Sequence, residues 1–340
     1  MSLEWGSVMR YPLDRREALT GLGALATAGV WRPTAALADE PPPETTTIRL
    51  GFFPSICIAP QYVAEALLRL EGFTDIRYVV PEGLSPAGAG EIDFDMRTGP
   101  FAVARLDAGD PIVVLAGVHV GCYELFAHEP VQTLSDLRGR RIMVPYLGTS
   151  GHLLLAAMLA HVGIDPRHEI EWQTGEPGPE ILRAFIGGEV DALLGFPPEP
   201  QELRQRGIGR VILNTALDRP WSQYFCCTVI GNQDWVERHP VATKRYLRAV
   251  LKATDLCASD PELAAQRLIE GGFTGSYDYA LQTLNEVAYD RWRDYDLVDA
   301  LRFYALRLHE GGLIEKTPQQ LLANGVDVRF FEALRQELRL

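Results

Sequence analysis

Ile48-Arg49-Leu50-Gly51-Phe52-Phe53, stopped by Pro54, opens the stretch that decides the fold. A short apolar run ended by proline reads as a strand. Residues 58–70 follow, with Ala59, Val63, Ala66, Leu67 and Leu70 at helical spacing. Residues 75–80 read as the next strand. Strand, helix and strand in this order imply a parallel sheet covered by helices.

The same alternation continues downstream. A glycine-rich loop, 83–90, leads to a strand over 92–96, and Thr98-Gly99-Pro100 opens a helix with proline in its first turn. Residues 112–120 form a long apolar strand, and 141–144 begin another after a turn. A helix over 153–162, strands near 170–172 and 191–194, a helix near 181–187, a helix over 199–206 and a strand at 211–213 complete a second αβ unit. After one more strand, 225–230, the pattern is helical: 240–258, 261–270, 277–287, 298–309 and 330–338, with proline or aspartate at most of the starts. An αβ unit, a second one and a helical tail predict a lobe interrupted by another lobe, with chain crossings near 120–124 and 223–227.

The first forty residues carry an address. Arg15 and Arg16 precede a 14-residue apolar run, 18–31, and Ala36-Leu37-Ala38 follows as a small-x-small cleavage site. The run is shorter than the roughly 20 residues that span a bilayer as a helix. The adjacent arginines match a twin-arginine signal, so residues 1–38 are expected to be an export signal and the location periplasmic. Pro41, Pro42 and Pro43 make 39–47 a stiff tether.

A net charge of −13 argues against nucleic acid as a partner. Five cysteines, Cys57, Cys122, Cys226, Cys227 and Cys257, include no C-x-x-C pair, and they read as small buried residues. Cys226 and Cys227 are adjacent, so on a regular strand they face opposite ways. The seven histidines form no metal signature and read as lone surface residues; no metal and no cofactor are expected.

The order of these segments resembles the periplasmic solute-binding proteins of ABC transporters, and more narrowly the nitrate, sulfonate, taurine and thiamine-precursor group. Ile48-Arg49-Leu50-Gly51-Phe52 with Ala59-Pro60-Gln61-Tyr62-Val63-Ala64 is similar to the first strand and helix of that family. Gly90-Glu91-Ile92-Asp93-Phe94, Leu134-Ser135-Asp136-Leu137-Arg138-Gly139, Gly187-Gly188-Glu189-Val190-Asp191-Ala192 and Phe196-Pro197-Pro198-Glu199-Pro200 carry the rest. Family members often place tryptophan just before the acidic residue that Glu199 matches; here Phe196-Pro197-Pro198 stands instead. The resemblance implies an α/β protein with the two-lobed type II periplasmic binding fold, each lobe a mostly parallel sheet flanked by helices, with a helical C-terminal part. Lobe 1 would take residues 48–122 and 224–340, and lobe 2 residues 123–223.

Ligands of open parallel sheets lie beyond the carboxyl ends of the strands. The loop Gly148-Thr149-Ser150-Gly151-His152 joins a strand to a helix, where backbone N–H groups bind anions or where Thr149 or Ser150 is a plain cap. Ser55, with Ile56, follows the first strand and offers a hydroxyl to a ligand or to its own turn. Thr98 and Gly99 stand at another helix start, and Asp95 lies on the strand before it. Glu199 either accepts from a ligand amine or complements its helix dipole. Phe196 is the aromatic cover at that loop. Trp221 and Tyr224 either stack on a ligand ring or pack the second crossing, and Glu124 is a candidate at the first. The expected function is non-catalytic capture of a small polar organic molecule or anion by a monomer that delivers it to an inner-membrane ABC permease with its cytoplasmic ATPase. The rivals are a sensor domain and a thiamine-pyrimidine synthase, which in this family uses a lysine-bound pyridoxal phosphate. Only Lys244, Lys252 and Lys316 are lysines, and all fall in the helical tail or its connections.

Overall fold

All nine residues of β4 (Ile112–Val120) are buried, which places this apolar strand inside a sheet covered on both faces. The computed structural model describes residues 40–339 except 54, 81, 176 and 177. The expected export signal with Arg15, Arg16 and its cleavage point, together with Pro54, lies outside the described residues. Residues 43–340 form one unit.

Two five-stranded sheets are present. The first contains β1 (Thr47–Gly51), β2 (Asp75–Val79), β3 (Phe94–Thr98), β4 and β10 (Phe225–Asn232), in the order β2-β1-β3-β10-β4. The second contains β5 (Glu124–Ala127), β6 (Arg141–Val144), β7 (Glu171–Thr174), β8 (Ala192–Gly195) and β9 (Arg210–Asn214), in the order β7-β6-β8-β5-β9. The pairs β1–β2, β1–β3, β6–β7 and β6–β8 are parallel. In each sheet one strand runs against its neighbours: β10 between β3 and β4, and β5 between β8 and β9. These are the two strands that follow the chain crossings. The sheets are mixed for that reason.

The helices are α1 (Ala59–Val63), α2 (Glu65–Leu70), α3 (Gly99–Asp107), α4 (Ser150–His161), α5 (Pro179–Ile186), α6 (Glu199–Arg206), α7 (Gln233–Arg238), α8 (Pro240–Ser259), α9 (Pro261–Glu270), α10 (Tyr277–Glu286), α11 (Leu297–Glu310), α12 (Pro318–Gly325) and α13 (Arg329–Glu337). The single helix expected over 58–70 is divided at Ala64, although the Ala64 N–H still donates to the Pro60 carbonyl and the Leu68 N–H to that of Ala64. β5, α7 and α12 had no counterpart in the sequence reading. The stretch 39–47 is no free tether in its described part: β1 begins at Thr47, and the Glu44 carboxylate accepts from the Val241 and Ala242 N–H groups at 2.9 and 2.8 Å, capping α8.

One device recurs in both sheets. Asp93 accepts from the Arg49 N–H at 2.7 Å and pairs with its guanidinium at 2.6 Å. Asp191 accepts from the Arg141 N–H at 2.8 Å and pairs with its guanidinium at 2.7 Å. The Gly-Glu-Ile-Asp and Gly-Glu-Val-Asp segments quoted above therefore do one job: each aspartate satisfies the backbone of the neighbouring strand and holds an arginine over its start.

Candidate functional site

The loop after β1 turns sharply. The Tyr62 hydroxyl donates to the Phe53 carbonyl at 2.5 Å and accepts from the Phe53 N–H at 2.9 Å, so one phenol on α1 holds the turn. Ser55 and Ile56 are both buried, and the Ser55 hydroxyl lies 3.1 Å from the Cys57 sulfur. Ile56 presents its side chain to the core, so a ligand could meet only its backbone.

Beside this loop, β3 supplies Asp95 and Arg97. The Arg97 Nε–H donates to Asp95 at 2.7 Å, and its guanidinium lies over the rings of Phe53 and Phe101, 4.8 and 5.4 Å from their centroids. Burial works against the Arg97 charge, but Asp95 outweighs it and raises the pKa. Asp95 is thus the partner of Arg97, and its other oxygen accepts from the Met96 N–H at 2.9 Å. Thr98 ends the strand as the N-cap of α3, yet its side chain makes no cap bond and its buried hydroxyl has no partner. Gly99 is needed for space: a Cβ there would lie 2.9 Å from the Tyr304 ring.

In the second sheet, the loop after β6 leads into α4. Gly148 has φ +89°, which favours glycine, and its N–H donates to His152 Nδ1 at 3.1 Å. Thr149 is the N-cap: its hydroxyl donates to the Tyr146 carbonyl at 3.0 Å and accepts from the His152 N–H at 3.5 Å. His152 is buried against Trp172, and burial holds its pKa down at about 4. Its Nδ1 lone pair therefore serves the loop. The buried Ser150 hydroxyl, at the start of α4, has no partner, and Gly151 beside it has open space where a side chain would stand.

The loop after β8 completes the arrangement. Phe196 lies with its ring 5.8 Å from Phe53 and 5.9 Å from Tyr123, joining aromatic side chains from both sheets' loops. Glu199 accepts from the Phe196 N–H at 3.1 Å, and burial raises its pKa to about 7 despite that bond. α4 packs against β3 and α3, and a Cβ on Gly148 would stand 3.2 Å from Leu84, so the two sets of loops meet.

Three sequence candidates stand apart from this meeting point. Glu124 is committed to an ion pair with Arg204, whose other nitrogen bonds Glu286 at 2.6 and 2.8 Å. That group lines a cavity of about 320 Å³ with Cys122, Pro197, Gln201, Asn214 and Leu217. Trp221 lies against His161 and Phe303, 5.6 and 5.4 Å between centroids, and Tyr224 stacks on Phe303 at 4.1 Å. Trp221 is buried between α4 and α11 and packs the second crossing, whereas Tyr224 gives one ring face to Phe303 and stays partly exposed.

Two histidines depart from expectation, while the cysteines are buried as expected and differ only in how the adjacent pair faces. His119 and His152 are buried, not surface residues. All five cysteines are buried and free. Register shifts in β10 between Phe225 and Thr228 bring the sulfurs of both adjacent cysteines near Cys122: Cys226 at 3.6 Å, and Cys227 within 4.8 Å. Cys57, His119, Cys122 and Cys227 form the set among the described residues able to hold a metal ion. Sequence reasoning missed it because its members come from separate segments.

Three comparisons place the chain among known proteins. It is 26% identical over 170 residues to the taurine-binding periplasmic protein of Escherichia coli (strain K12), covering 50% of this chain and 52% of that one. It is 22% identical over 220 residues to the 4-amino-5-hydroxymethyl-2-methylpyrimidine phosphate synthase THI5 of Saccharomyces cerevisiae, covering 61% of each. The chain thus spans between half and two thirds of the length of these relatives. The solved alkanesulfonate-binding protein SsuA of Xanthomonas axonopodis pv. citri, bound to MOPS, superposes with a TM-score of 0.68 at 19% identity, covering 84% of this chain and 99% of that one. The fold is therefore that of the periplasmic solute-binding proteins. The NMT1/THI5 like family model matches residues 79–264, more than half of the 340, and the protein belongs to that family.

Proposed function

We propose that this protein is the extracytoplasmic solute-binding component of an ABC import system. It captures a small polar organic molecule or anion between two lobes, residues 48–122 with 224–340 and residues 123–223, and hands it unchanged to a membrane permease. The observation that carries the reading is a pair of buried, partnerless hydroxyls, Thr98 and Ser150, at the starts of α3 and α4. Buried polar groups are normally satisfied, and these two stand on helices of different sheets that pack together. A solute with acceptor oxygens would satisfy both, with the helix N-termini favouring negative charge. Phe53, Phe196 and Tyr123 supply the apolar wall, and Arg97, already neutralised by Asp95, supplies donors more than net charge. Binding to both lobes favours closure.

Catalysis through a lysine-bound cofactor is disfavoured by position. Lys316 donates to the Leu106 and Asp107 carbonyls, Lys244 pairs with Glu337 at 3.1 Å, and Lys252 lies 3.8 Å from Glu71. None of these partners belongs to the loops around Thr98 and Ser150. A melting screen with sulfonates, nitrate, aromatic carboxylates, pyrimidines and amines tests the reading. A true solute at 100 times its Kd adds about 2.7 kcal/mol of stability. Turnover of a panel member, with no stabilisation by any, would overturn it.

A further inference from the structure

We propose that Cys57, His119, Cys122 and Cys227 bind a thiophilic metal ion in a closed tetrahedral site directly behind the solute loops. Their donor atoms all lie within 4.8 Å of one another. A tetrahedral ion with metal–sulfur bonds of about 2.3 Å and a metal–nitrogen bond of about 2.0 Å needs donors about 3.5–3.8 Å apart, so closure requires shifts on the order of an ångström. Three sulfurs and one imidazole form a donor set suited to Zn²⁺ or Cu⁺ and poorly suited to hard cations, which take oxygen ligands. All four residues are buried, with no open position, the arrangement of a structural site.

His119 separates this site from a chance grouping of small buried thiols. Its Nδ1 lies 3.1 Å from the Val120 carbonyl oxygen, a contact made by an Nδ1–H donor. That leaves Nε2 as the lone-pair nitrogen, buried and without an oxygen or nitrogen partner, and Cys57 is the side chain that the ring hydrogen-bonds. A carbonyl-oriented imidazole with its other nitrogen aimed at sulfurs is how a metal-ligating histidine is held. The supporting shell continues at Cys57: the Ser55 hydroxyl lies 3.1 Å from its sulfur, and the Tyr289 hydroxyl donates to its carbonyl at 2.8 Å.

The ligands follow β1, end β4, stand in the first crossing and begin β10. An ion there would tie both chain crossings to the floor of the solute site. Three thiols must lose their protons on binding to become thiolate ligands, so uptake releases protons to solvent.

The full chain, purified under reducing conditions, is titrated with Co²⁺ and then Zn²⁺, and separately with Cu⁺. One equivalent of Co²⁺ should give a thiolate charge-transfer band and the visible spectrum of a tetrahedral ion, both erased by Zn²⁺. The Cu⁺ arm distinguishes the two soft ions by relative affinity. Cys227→Ser and His119→Gln should each lose the spectrum, and Ser55→Ala should weaken binding about 10–100-fold. Cys257→Ser, on α8 outside the group, should keep it. The proposal fails if reduced wild-type protein takes up none of the three ions, or if Cys257→Ser removes the spectrum as completely as Cys227→Ser. It also fails if binding survives both ligand variants. No solute is present in these titrations, so their outcome stands apart from that of the melting screen.

Discussion

Burial acts on Glu199 and His152 in opposite senses, because it disfavours whichever form is charged. Glu199 rises from 4.5 to about 7, so the folded state holds its proton more tightly than the unfolded chain. Its contribution to stability is greatest below pH 4.5 and is lost as pH rises through about 7. Glu199→Gln keeps an oxygen for the Phe196 N–H and removes the charge. Its melting temperature should match wild type near pH 5 and exceed it near pH 8; a difference independent of pH would exclude this account. His152 falls from 6.5 to about 4, so stability present above pH 6.5 is lost as pH falls towards 4. His152→Asn keeps an acceptor for the Gly148 N–H, and its melting curve should flatten over that range. The sequence identified both residues as candidates at helix starts. It did not reveal that His152 serves its own loop, since that depends on the φ of +89° at Gly148 and the packing of Trp172.

Among the helices, α8 is held by a charge that no water reaches. Arg248 is 1% exposed, pairs with Glu71 at 2.8 Å after α2 and with Glu337 at 2.6 Å on α13. It therefore ties the last helix to the first sheet's flank. Arg248→Met would leave Glu71, itself 4% exposed, poorly compensated. Breaking a buried pair in this way costs about 3–5 kcal/mol, and urea unfolding should show that loss; a change under about 1 kcal/mol would mean the carboxylates find water. Helix boundaries were largely legible, α6 and α9 to the residue, because proline, aspartate and glycine punctuate them. β5 was not: four buried residues between two crossings have too short a pattern to declare a strand.

Across the whole molecule, α6 of the second sheet meets α10 through Arg204–Glu286, a Gln201 Nε2–H donated to Glu286 at 2.9 Å, and a Tyr279 hydroxyl donated to Gln205 at 2.6 Å. These contacts exist only while the two sheets stay in this arrangement. If solute capture works by closure, Glu286→Ala should shift the population towards open forms and weaken solute binding. Exposed pairs are worth about 0.2–1 kcal/mol, so the expected loss is up to about fivefold in Kd by calorimetry. An unchanged Kd would place these contacts outside the closing motion.

The order of strands and helices, the interruption of one αβ unit by another and the family were written in the sequence, because apolar periodicity and turn residues are local signals. So were the helix starts at Thr98 and Ser150. The direction of β5 and β10 was decided only in three dimensions, since a fully buried strand looks the same whichever way it runs. The same holds for the commitment of Trp221 and Glu124 to packing and ion pairing. The meeting of Cys57, His119, Cys122 and Cys227 is the clearest case: residues up to 170 positions apart become neighbours only when β1, β4 and β10 share one sheet and a register shift turns adjacent cysteines the same way.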